Sequence, residues 1–530
     1  ITGMALIPGK DANGDEAYMS LFHAFYFFTY TATTTGFGEI PNAFTDTQRL
    51  WTIFCLYMGV VSWLYAIGSI IHLIQNPHFL MALNQHQFAR SVRGIKHPFF
   101  IICGFGDTGS LLARGLSDHW LGAVILDTDP ERIKALALRD YRIKMPALCA
   151  DPSIPKHLVE AGVHLKNCKA IVVLTNDRDI NLHICILARS LNPNLHILCR
   201  SSSERHTEQL TTLGNITLIN PFEIFAQLLS MAISAPRLHN LNSCLVHAPG
   251  IKLGQPIKVP PGDWILCGFG RMGKWLCKYF LMHGIRPVII DPDIEHIEED
   301  IPIIRSHANH NSLREAGIEQ AAGVVAGTDN DFDNLSIIMS VRHQQPNAFT
   351  VARQNSHNNQ VAFDSTNTDL ILQPSLTTAR RILKHLISPQ IQQLVDYLST
   401  QGEEATKQVV ERLQLILRDR PPHLWRTKLC EEESVAVIDM FNTRGYITLG
   451  ELTRNPYDLE RSISCIAMAI QRGEQRIMLP DENERVFRED EILFCGSEHS
   501  EIMLSASMNN PYTLHYLIYR QDPPRSYLFQ

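Results

Sequence analysis

Residues 102–109 read ICGFGDTG and residues 266–273 read LCGFGRMG, so one glycine-rich motif occurs twice in the chain. Each occurrence follows a short apolar run, Pro98 to Cys103 in the first case and Trp264 to Cys267 in the second. Further matches continue downstream at offsets that only shrink, as expected if the second copy has shorter loops. Long-period similarity of this kind indicates a duplicated structural unit. The sequence therefore predicts two copies of one fold.

Each copy has the order of a Rossmann-like dinucleotide-binding unit: an apolar strand, a glycine turn, a helix, and a second strand that ends in an acid. The first glycine makes the turn, the second lets a pyrophosphate approach the backbone, and the third packs helix on strand. Asp127 and Asp291 lie where a carboxylate accepts hydrogen bonds from ribose hydroxyls. We therefore predict nucleotide sites at Gly104, Phe105, Gly106, Asp107, Thr108, Gly109 and Asp127, and at Gly268, Phe269, Gly270, Arg271, Met272, Gly273 and Asp291.

The two glycine turns differ in charge. Asp107 in the first turn would repel a phosphate group, whereas Arg271 in the second would attract one. We therefore expect phosphate to be better supported in the second copy. The first copy also has Asp151 where the second has His307, so the two pockets are expected to prefer different ligands.

The composition limits the class of protein. With 530 residues the chain is too long for one core, and a net charge of -7 gives no basic surplus for a nucleic-acid partner. The 12 cysteines are scattered without a CxxC pair, which predicts reduced thiols rather than disulfides or a zinc site.

A candidate membrane helix precedes the repeats. The run from Trp51 to Ile74 contains no Asp, Glu, Lys or Arg, and at about 1.5 Å per residue it is long enough to cross a hydrocarbon core of roughly 30 Å. Basic residues follow it at Arg90, Arg93 and Lys96, so the positive-inside rule places everything after residue 75 in the cytoplasm. Asn76-Pro77 is expected to end or kink the helix.

An aromatic stretch, Phe22 to Tyr30, lies just before this helix and is too short to span a membrane. It leads into TTTGFGE at residues 33–39, which predicts a half-helix followed by a glycine-punctuated strand. Non-helical backbone at membrane depth persists only where it is buried in protein or lines a water-filled path. The pattern therefore predicts a re-entrant loop that lines an ion path.

These residues resemble the pore of potassium channels, whose filter reads Thr-Val-Gly-Tyr-Gly followed by Asp. In that family, four loops aim carbonyl rings at a dehydrated potassium ion. The resemblance assigns the filter, and its potassium ions, to Thr34, Thr35, Gly36, Phe37 and Gly38. Thr35 replaces the usual Val, Phe37 the usual Tyr, and Glu39 the usual Asp.

Two further features follow from the pore resemblance. The family needs an outer helix, of which only Ile1 to Ile7 could be the tail, so we expect that helix upstream of residue 1. Gly59 and Gly68 are the flexible points of the spanning helix. Either is a candidate gating hinge or a point of close helix packing, and the sequence leaves both open.

A pore followed by this tandem resembles prokaryotic two-transmembrane potassium channels with RCK domains, the regulators of potassium conductance. The resemblance implies a homotetramer in the inner membrane, with eight cytoplasmic RCK domains forming a gating ring beneath the pore. It implies NAD and ADP as regulatory ligands, with calcium as a further effector. It adds Asp151, Thr175 and Arg200 to the first nucleotide site, adds Thr328 and Arg353 to the second, and places a possible calcium site at Asp151, Asp177 and Asp179.

The predicted fold class is an α-helical membrane pore domain, two α/β Rossmann-like RCK domains, and a small α+β C-terminal lobe. The predicted ranges, in chain order, are a pore domain at 1–77, a linker at 78–96, the first RCK domain at 97–235, a linker at 236–262, the second RCK domain at 263–380, a helical crossover at 381–423, and the lobe at 424–530.

Two other functions use the same tandem fold. A peripheral NAD-binding regulator of potassium uptake would have no pore of its own, and a tandem-Rossmann NAD-dependent dehydrogenase would have no use for a filter or a spanning helix. We therefore favour a ligand-gated potassium channel and expect no enzymatic activity.

Overall fold

The computed structural model describes residues 1–11, 13–33, 35–201, 204–246, 253, 257–294, 300–387, 389–418 and 420–521. The chain forms two compact units, Ile1–Arg90 and Ser91–Gln530. Each unit is described by itself.

The first unit is mostly helical around a small aromatic core. Its elements are α1 (Thr2–Leu6), β1 (Pro8–Lys10), β2 (Glu16–Tyr18), α2 (Leu21–Ala32) and α3 (Asp46–Gln75). Phe27 and Tyr30 of α2 pack with Met4 and Phe44 to form that core. The aromatic half-helix predicted from the sequence is therefore confirmed as α2.

The helix α3 is the long apolar helix predicted from the sequence. It begins at a capping box, in which the Thr45 side chain accepts from the Gln48 N–H, and it runs for 30 residues. Among the described residues it is the one helix long and apolar enough to cross a membrane, and none of its most apolar window is buried within the chain. Such a face requires lipid or another protein surface to cover it. Helix α3 ends at Gln75 with Asn76 as its C-cap, and α4 (Pro77–Arg93) begins at Pro77, so the helix ends where Asn76-Pro77 predicted.

The first repeat is a parallel sheet covered by helices. Its strands are β3 (Phe99–Cys103), β4 (Gly122–Asp127), β5 (Ala147–Cys149), β6 (Cys168–Val173), β7 (His196–Arg200) and β8 (Ile216–Ile219). Its helices are α5 (Asp107–Asp118), α6 (Pro130–Ala137), α7 (Pro155–Glu160), α8 (Arg178–Leu191), α9 (Glu204–Thr211) and α10 (Pro221–Ser234), and α11 (Pro236–Val246) follows. The strand order is β5-β4-β3-β6-β7-β8. Every residue of β3 is buried, as expected for a central strand with helices on both faces.

The second repeat has the same architecture. Its strands are β9 (Trp264–Cys267), β10 (Val288–Ile290), β11 (Ile303–Ile304), β12 (Gly323–Ala326), β13 (Phe349–Arg353) and β14 (Leu370–Leu372), in the order β11-β10-β9-β12-β13-β14. Its helices are α12 (Arg271–Met282), α13 (His310–Glu315), α14 (Asp331–Gln344), α15 (Gln360–Asp364) and α16 (Pro374–Ile387). The equivalent strand orders confirm the duplication inferred from the glycine motifs.

The two repeats exchange their last helices. Phe222 and Phe225 of α10 lie in the core of the second repeat, beside Trp264. Ile382 of α16 lies in the core of the first repeat, and a Cβ added to Gly115 of α5 would be 2.7 Å from Leu383 Cδ2. The predicted boundary at residue 380 is therefore wrong as a packing boundary, because it falls inside α16 and the cores do not follow chain order.

We expect the exchange to be visible in the stability of each repeat. Ile382 is fully buried, and an Ile382→Ala substitution should lower the free energy of unfolding by about 2–5 kcal/mol. The loss should appear as reduced amide-hydrogen exchange protection in the first repeat, on β3 to β7. The matched substitution Phe225→Ala should instead reduce protection in the second repeat. The exchange would be contradicted if Ile382→Ala reduced protection in the second repeat and Phe225→Ala reduced it in the first.

The remaining helices pack against one another. The predicted linker at 236–262 is wrong in part, because α11 occupies residues 236–246 and buries Leu238, Leu241 and Leu245. These side chains pack with α17 (Pro389–Gln401) and α18 (Glu403–Leu417). The helical crossover predicted at 381–423 contains the end of α16 and all of α17 and α18.

The C-terminal lobe is a small α+β unit, as predicted. Its elements are β15 (His423–Lys428), α19 (Val435–Arg444), β16 (Ile447–Thr448), α20 (Leu449–Leu452), β17 (Arg454–Asn455), β18 (Asp458–Ser462), β19 (Cys465–Arg472), β20 (Gln475–Met478), β21 (Arg485–Val486), β22 (Glu491–Gly496), α21 (Glu498–Asn509) and α22 (Pro511–Tyr519). Its main sheet is antiparallel, in the order β15-β22-β19-β20. The predicted start of the lobe, residue 424, falls inside β15.

Candidate pore loop and nucleotide sites

The loop after α2 is irregular where a strand was predicted. Thr34 lies outside the described residues, and Thr35 to Gly38 have no regular secondary structure. Gly36 has a φ of +67° and Gly38 a φ of +88°. Side chains with a Cβ rarely adopt these left-handed angles, which explains why both positions are glycine.

Contacts with the end of α2 hold this loop. The N–H of Thr35 donates to the Tyr30 carbonyl oxygen at 2.9 Å. The Tyr30 hydroxyl donates to the Gly38 carbonyl oxygen at 2.6 Å, and the Phe37 ring lies edge-on to the Tyr30 ring, with centroids 5.4 Å apart. Tyr30 thus braces both ends of the loop, a role that the sequence analysis missed because it depends on the fold of the loop.

Glu39 anchors the chain after the loop. Its Oε1 accepts from Arg49 Nε at 2.8 Å, and its Oε2 accepts from Arg49 Nη2 at 3.2 Å and from the Phe44 N–H at 2.8 Å. The acid at the position next to the predicted filter is therefore tied to the first turns of α3. Gly59 and Gly68 lie within the unbroken α3, and a Cβ at either would meet no described atom within 4 Å. Their role as hinges stays a prediction.

The first glycine turn lines a cavity of about 380 Å³. Asp127 is 5% exposed; its Oδ2 accepts from the Phe105 N–H at 2.5 Å and its Oδ1 accepts from the Asp129 N–H at 2.8 Å. Arg132 lies against both acids, with Nη1 3.5 Å from Asp127 Oδ2 and Nε 3.2 Å from Asp129 Oδ2. The acid predicted to bind ribose is therefore already paired with a cation.

The second glycine turn lines a larger cavity, of about 900 Å³. Asp291 Oδ2 accepts from the Phe269 N–H at 2.6 Å, and Oδ1 accepts from the Asp293 N–H at 2.9 Å, as in the first copy. Arg271, Lys274 and Arg353 line the cavity, and nucleotide binding by Arg271 and Arg353 stays a prediction. No cation is paired with Asp291 among the described residues, so its remaining lone pairs face the cavity.

The charge lining the cavities corrects the expectation drawn from Asp107 and Arg271. Among the described residues, the first cavity is lined by three arginines, Arg132, Arg139 and Arg200, and by one acid, Asp107. The described lining of the second has three cations against four acids, which are Asp291, Asp293, Asp329 and Asp333. The first cavity is therefore the more cationic, because Arg132 and Arg139 reach it from α6 and the segment just after it.

Two guanidinium groups of the second copy lie over the ring of Phe222, a residue of α10 in the first copy. Arg271 and Arg353 lie over the Phe222 ring, at 5.0 and 4.9 Å from its centroid. Burial, and then the charge of Arg271, lower the pKa of Arg353 to about 10. The same two causes lower the pKa of Arg200. Within the described part of the chain, Arg353 Nε is buried without a hydrogen-bond partner, so the cluster is suited to an anion.

The threonines predicted in the two nucleotide sites each form a hydrogen bond to an asparagine six residues later. Thr175 Oγ1 donates to Asn181 Oδ1 at 2.6 Å, and Thr328 Oγ1 donates to Asn334 Oδ1 at 2.8 Å. This brace explains why Thr and Asn recur together in the repeat. Thr328 also lines the second cavity, whereas Thr175 is absent from the described lining of the first.

The predicted calcium site is not formed. Among the described residues, no group of three or more His, Cys, Asp or Glu side chains is placed to hold a metal ion. Asp177 instead caps α8 by accepting from the N–H groups of Asp179 and Ile180, and Asp151 accepts from the Ser153 N–H. Asp151 is outside the described lining of the first cavity, whereas His307, its counterpart, lines the second.

Family models match both parts of the chain. The model of an ion channel domain matches residues 4–76, and the model of the TrkA-N domain matches residues 100–221 and 264–374. This chain belongs to the proteins that join an ion channel domain to tandem TrkA-N, or RCK, domains. The fold class and the family expected from the sequence are thus confirmed, while the binding of ligands by the predicted site residues stays a prediction.

Relatives of this RCK protein are distant. It is 26% identical over 202 residues to potassium channel protein 1 of Methanocaldococcus jannaschii, covering 38% of this chain and 59% of that protein. It is 28% identical over 204 residues to an uncharacterized protein of Methanothermus fervidus, covering 38% of this chain and 31% of that protein. The chain thus spans about a third to three fifths of the length of these relatives. A solved structure of the GsuK channel bound to NAD is similar over 93% of this chain and 94% of that one, with 15% identity and a TM-score of 0.49.

Proposed function

We propose that this RCK protein is one subunit of a potassium channel that nucleotides open or close. Four chains would place four pore loops around one axis in the inner membrane of a prokaryote, with eight RCK domains on the cytoplasmic side. NAD and ADP are the proposed regulatory ligands, bound at the two glycine turns.

One combination of features supports this proposal. A loop with two left-handed glycines precedes an exposed apolar helix of 30 residues, and the same chain carries two glycine-turn cavities. The exposed helix needs lipid or another protein surface around it, and the loop needs symmetry-related copies to surround an ion. The name of the relative from Methanocaldococcus jannaschii supports potassium as that ion.

Gating requires that a nucleotide bind the open and closed channel with different affinities, because a ligand with equal affinity for both shifts neither. Anion binding at the arginines near Phe222 provides such a difference if opening changes their spacing. These arginines lie where the exchanged helix α10 meets the second repeat.

The test is ion flux through the purified full-length chain in lipid bilayers. We expect potassium to permeate in preference to sodium, and NAD or ADP on the cytoplasmic face to change the open probability. Absence of any ion current from correctly assembled protein would refute the channel. A current that neither nucleotide changes would refute only the proposed regulation.

We expect Asp291→Ala to weaken the nucleotide response while leaving conductance intact. The substitution removes the acceptor for ribose hydroxyls, and the loss of one charge-assisted hydrogen bond of about 1.5–3 kcal/mol corresponds to roughly a 10- to 100-fold weaker apparent affinity. Dose-response curves from single-channel recordings would measure the shift. Glu315→Ala, which removes an exposed acid of the same repeat outside the cavity lining, is the matched control. An unchanged dose response would remove Asp291 from the site.

A further inference from the structure

The two glycine-turn cavities differ in size, closure and charge, and these differences separate their ligands. We infer that the second cavity binds a dinucleotide, whereas the first binds a mononucleotide through its terminal phosphates. This inference rests on the proposed nucleotide regulation, and it does not depend on the pore.

Size and closure are the first difference. The second cavity is about 900 Å³ and the first about 380 Å³. Equivalent glycines show where the first is closed. A Cβ on Gly106 would lie 3.6 Å from Arg132 Nη1, whereas a Cβ on Gly270 would meet no described atom within 4 Å. Arg132 therefore occupies, in the first copy, space beside the glycine turn where the second copy has no described atom.

The state of the two acids is the second difference. A dinucleotide in this fold places a ribose against the carboxylate that ends the second strand. Asp291 is free of any described cation and can accept from ribose hydroxyls. Asp127 shares Arg132 with Asp129, so a ribose there would have to displace a guanidinium held by two carboxylates. The first cavity therefore disfavours the adenosine half of a dinucleotide in that position.

Charge is the third difference. An internal pyrophosphate carries one negative charge on each phosphorus, whereas a terminal phosphate adds further charge and acceptor oxygens. Three arginines against one acid, counted over the described lining of the first cavity, suit the terminal phosphate of a nucleoside diphosphate. The second cavity, with three cations against four acids among its described lining residues, would repel such a group, but the glycine turn and helix N-terminus there still suit a pyrophosphate.

The first cavity also draws residues from both copies. Asn355 and Ser375 of the second repeat line it beside Arg200 of the first. A mononucleotide bound there would contact both repeats at once. A dinucleotide in the second cavity would contact residues of the second repeat alone, by the described lining.

Calorimetric titration of the full-length chain in detergent, with NAD and ADP as probes, tests this assignment. We expect one NAD and one tightly bound ADP per chain, with neither displacing the other. Asp291→Asn should weaken NAD at least tenfold and leave ADP within twofold of the unaltered chain. Arg132→Gln should weaken ADP at least tenfold and leave NAD within twofold. Both residues are at least partly exposed, and circular dichroism of each variant would confirm that it is folded.

The possible failures are distinguishable. Binding of neither probe to the unaltered chain would refute the proposed nucleotide regulation itself. Displacement of NAD by ADP with one ligand per chain, or a loss of both ligands in the same variant, would refute the assignment while leaving the regulation in place. If Arg132→Gln weakened NAD binding and left ADP binding unchanged, the assignment would be reversed and so overturned.

Discussion

A Gly36→Ala variant should assemble but conduct almost no potassium. The φ of +67° at Gly36 lies in the left-handed region, which costs a residue with a Cβ roughly 1–2 kcal/mol. In the proposed tetramer that cost applies to four loops at once. At about 1 kcal/mol for each loop, the population of the conducting arrangement falls by about three orders of magnitude. Flux of potassium from liposomes loaded with the purified variant would measure the loss.

Gly14→Ala is the control matched for backbone strain. Gly14 has a φ of +92° in the turn between β1 and β2, and a Cβ there would meet no described atom within 4 Å. The variant therefore carries a similar left-handed penalty outside the pore loop. We expect it to form the same oligomer and to retain flux. Flux from Gly36→Ala equal to that of the unaltered chain would contradict the assignment of residues 34–38 as the filter.

The second large effect is expected at the third glycine of the second nucleotide turn. A Cβ on Gly273 would lie 2.2 Å from the Gly268 carbonyl oxygen, so neither the helix nor the turn can keep its position. Overpacking of this kind costs about 1–3 kcal/mol and occasionally more. Gly273→Ala should therefore lower the unfolding temperature and abolish nucleotide binding by the second copy.

Gly270→Ala separates binding from stability. The backbone of Gly270 has a φ of −69°, which alanine adopts without strain, and no described atom lies within 4 Å of its added Cβ. The methyl group would instead occupy the approach of a pyrophosphate. We expect an unfolding temperature close to that of the unaltered chain and a large loss of dinucleotide affinity, measured by thermal denaturation with and without NAD. Equal behaviour of Gly270→Ala and Gly273→Ala would contradict these separate roles.

The elements that the sequence predicted well have local signals. The strand at Trp264–Cys267 is a continuous apolar run that ends at glycine, and its bounds agree with the prediction. The long helix around Gly59 and Gly68 was recognisable from the absence of charge. In both cases the physical cause of the element lies within a few residues of it.

The features that the sequence missed depend on partners far away in the chain. Arg132 was overlooked because its place beside Gly106 requires β4 and α6 to be positioned first. Helix α11 was taken for a linker because Leu238 and Leu241 pack with apolar residues far away in the chain, among them those of α17 and α18. The calcium prediction rested on three acids of the first copy, but one of them, Asp177, caps a helix. Composition alone does not separate a cap from a ligand.

The exchange of α10 and α16 has a consequence for how such a protein is divided and inherited. If either half were produced alone, it would expose the apolar face of the helix that it lends and would lack the helix that it borrows. Each half should therefore be insoluble by itself, and the two should regain solubility when they are made together. During evolution, substitutions could change the ligand that one half binds. Deletion of that half would leave the other half without the helix that it needs.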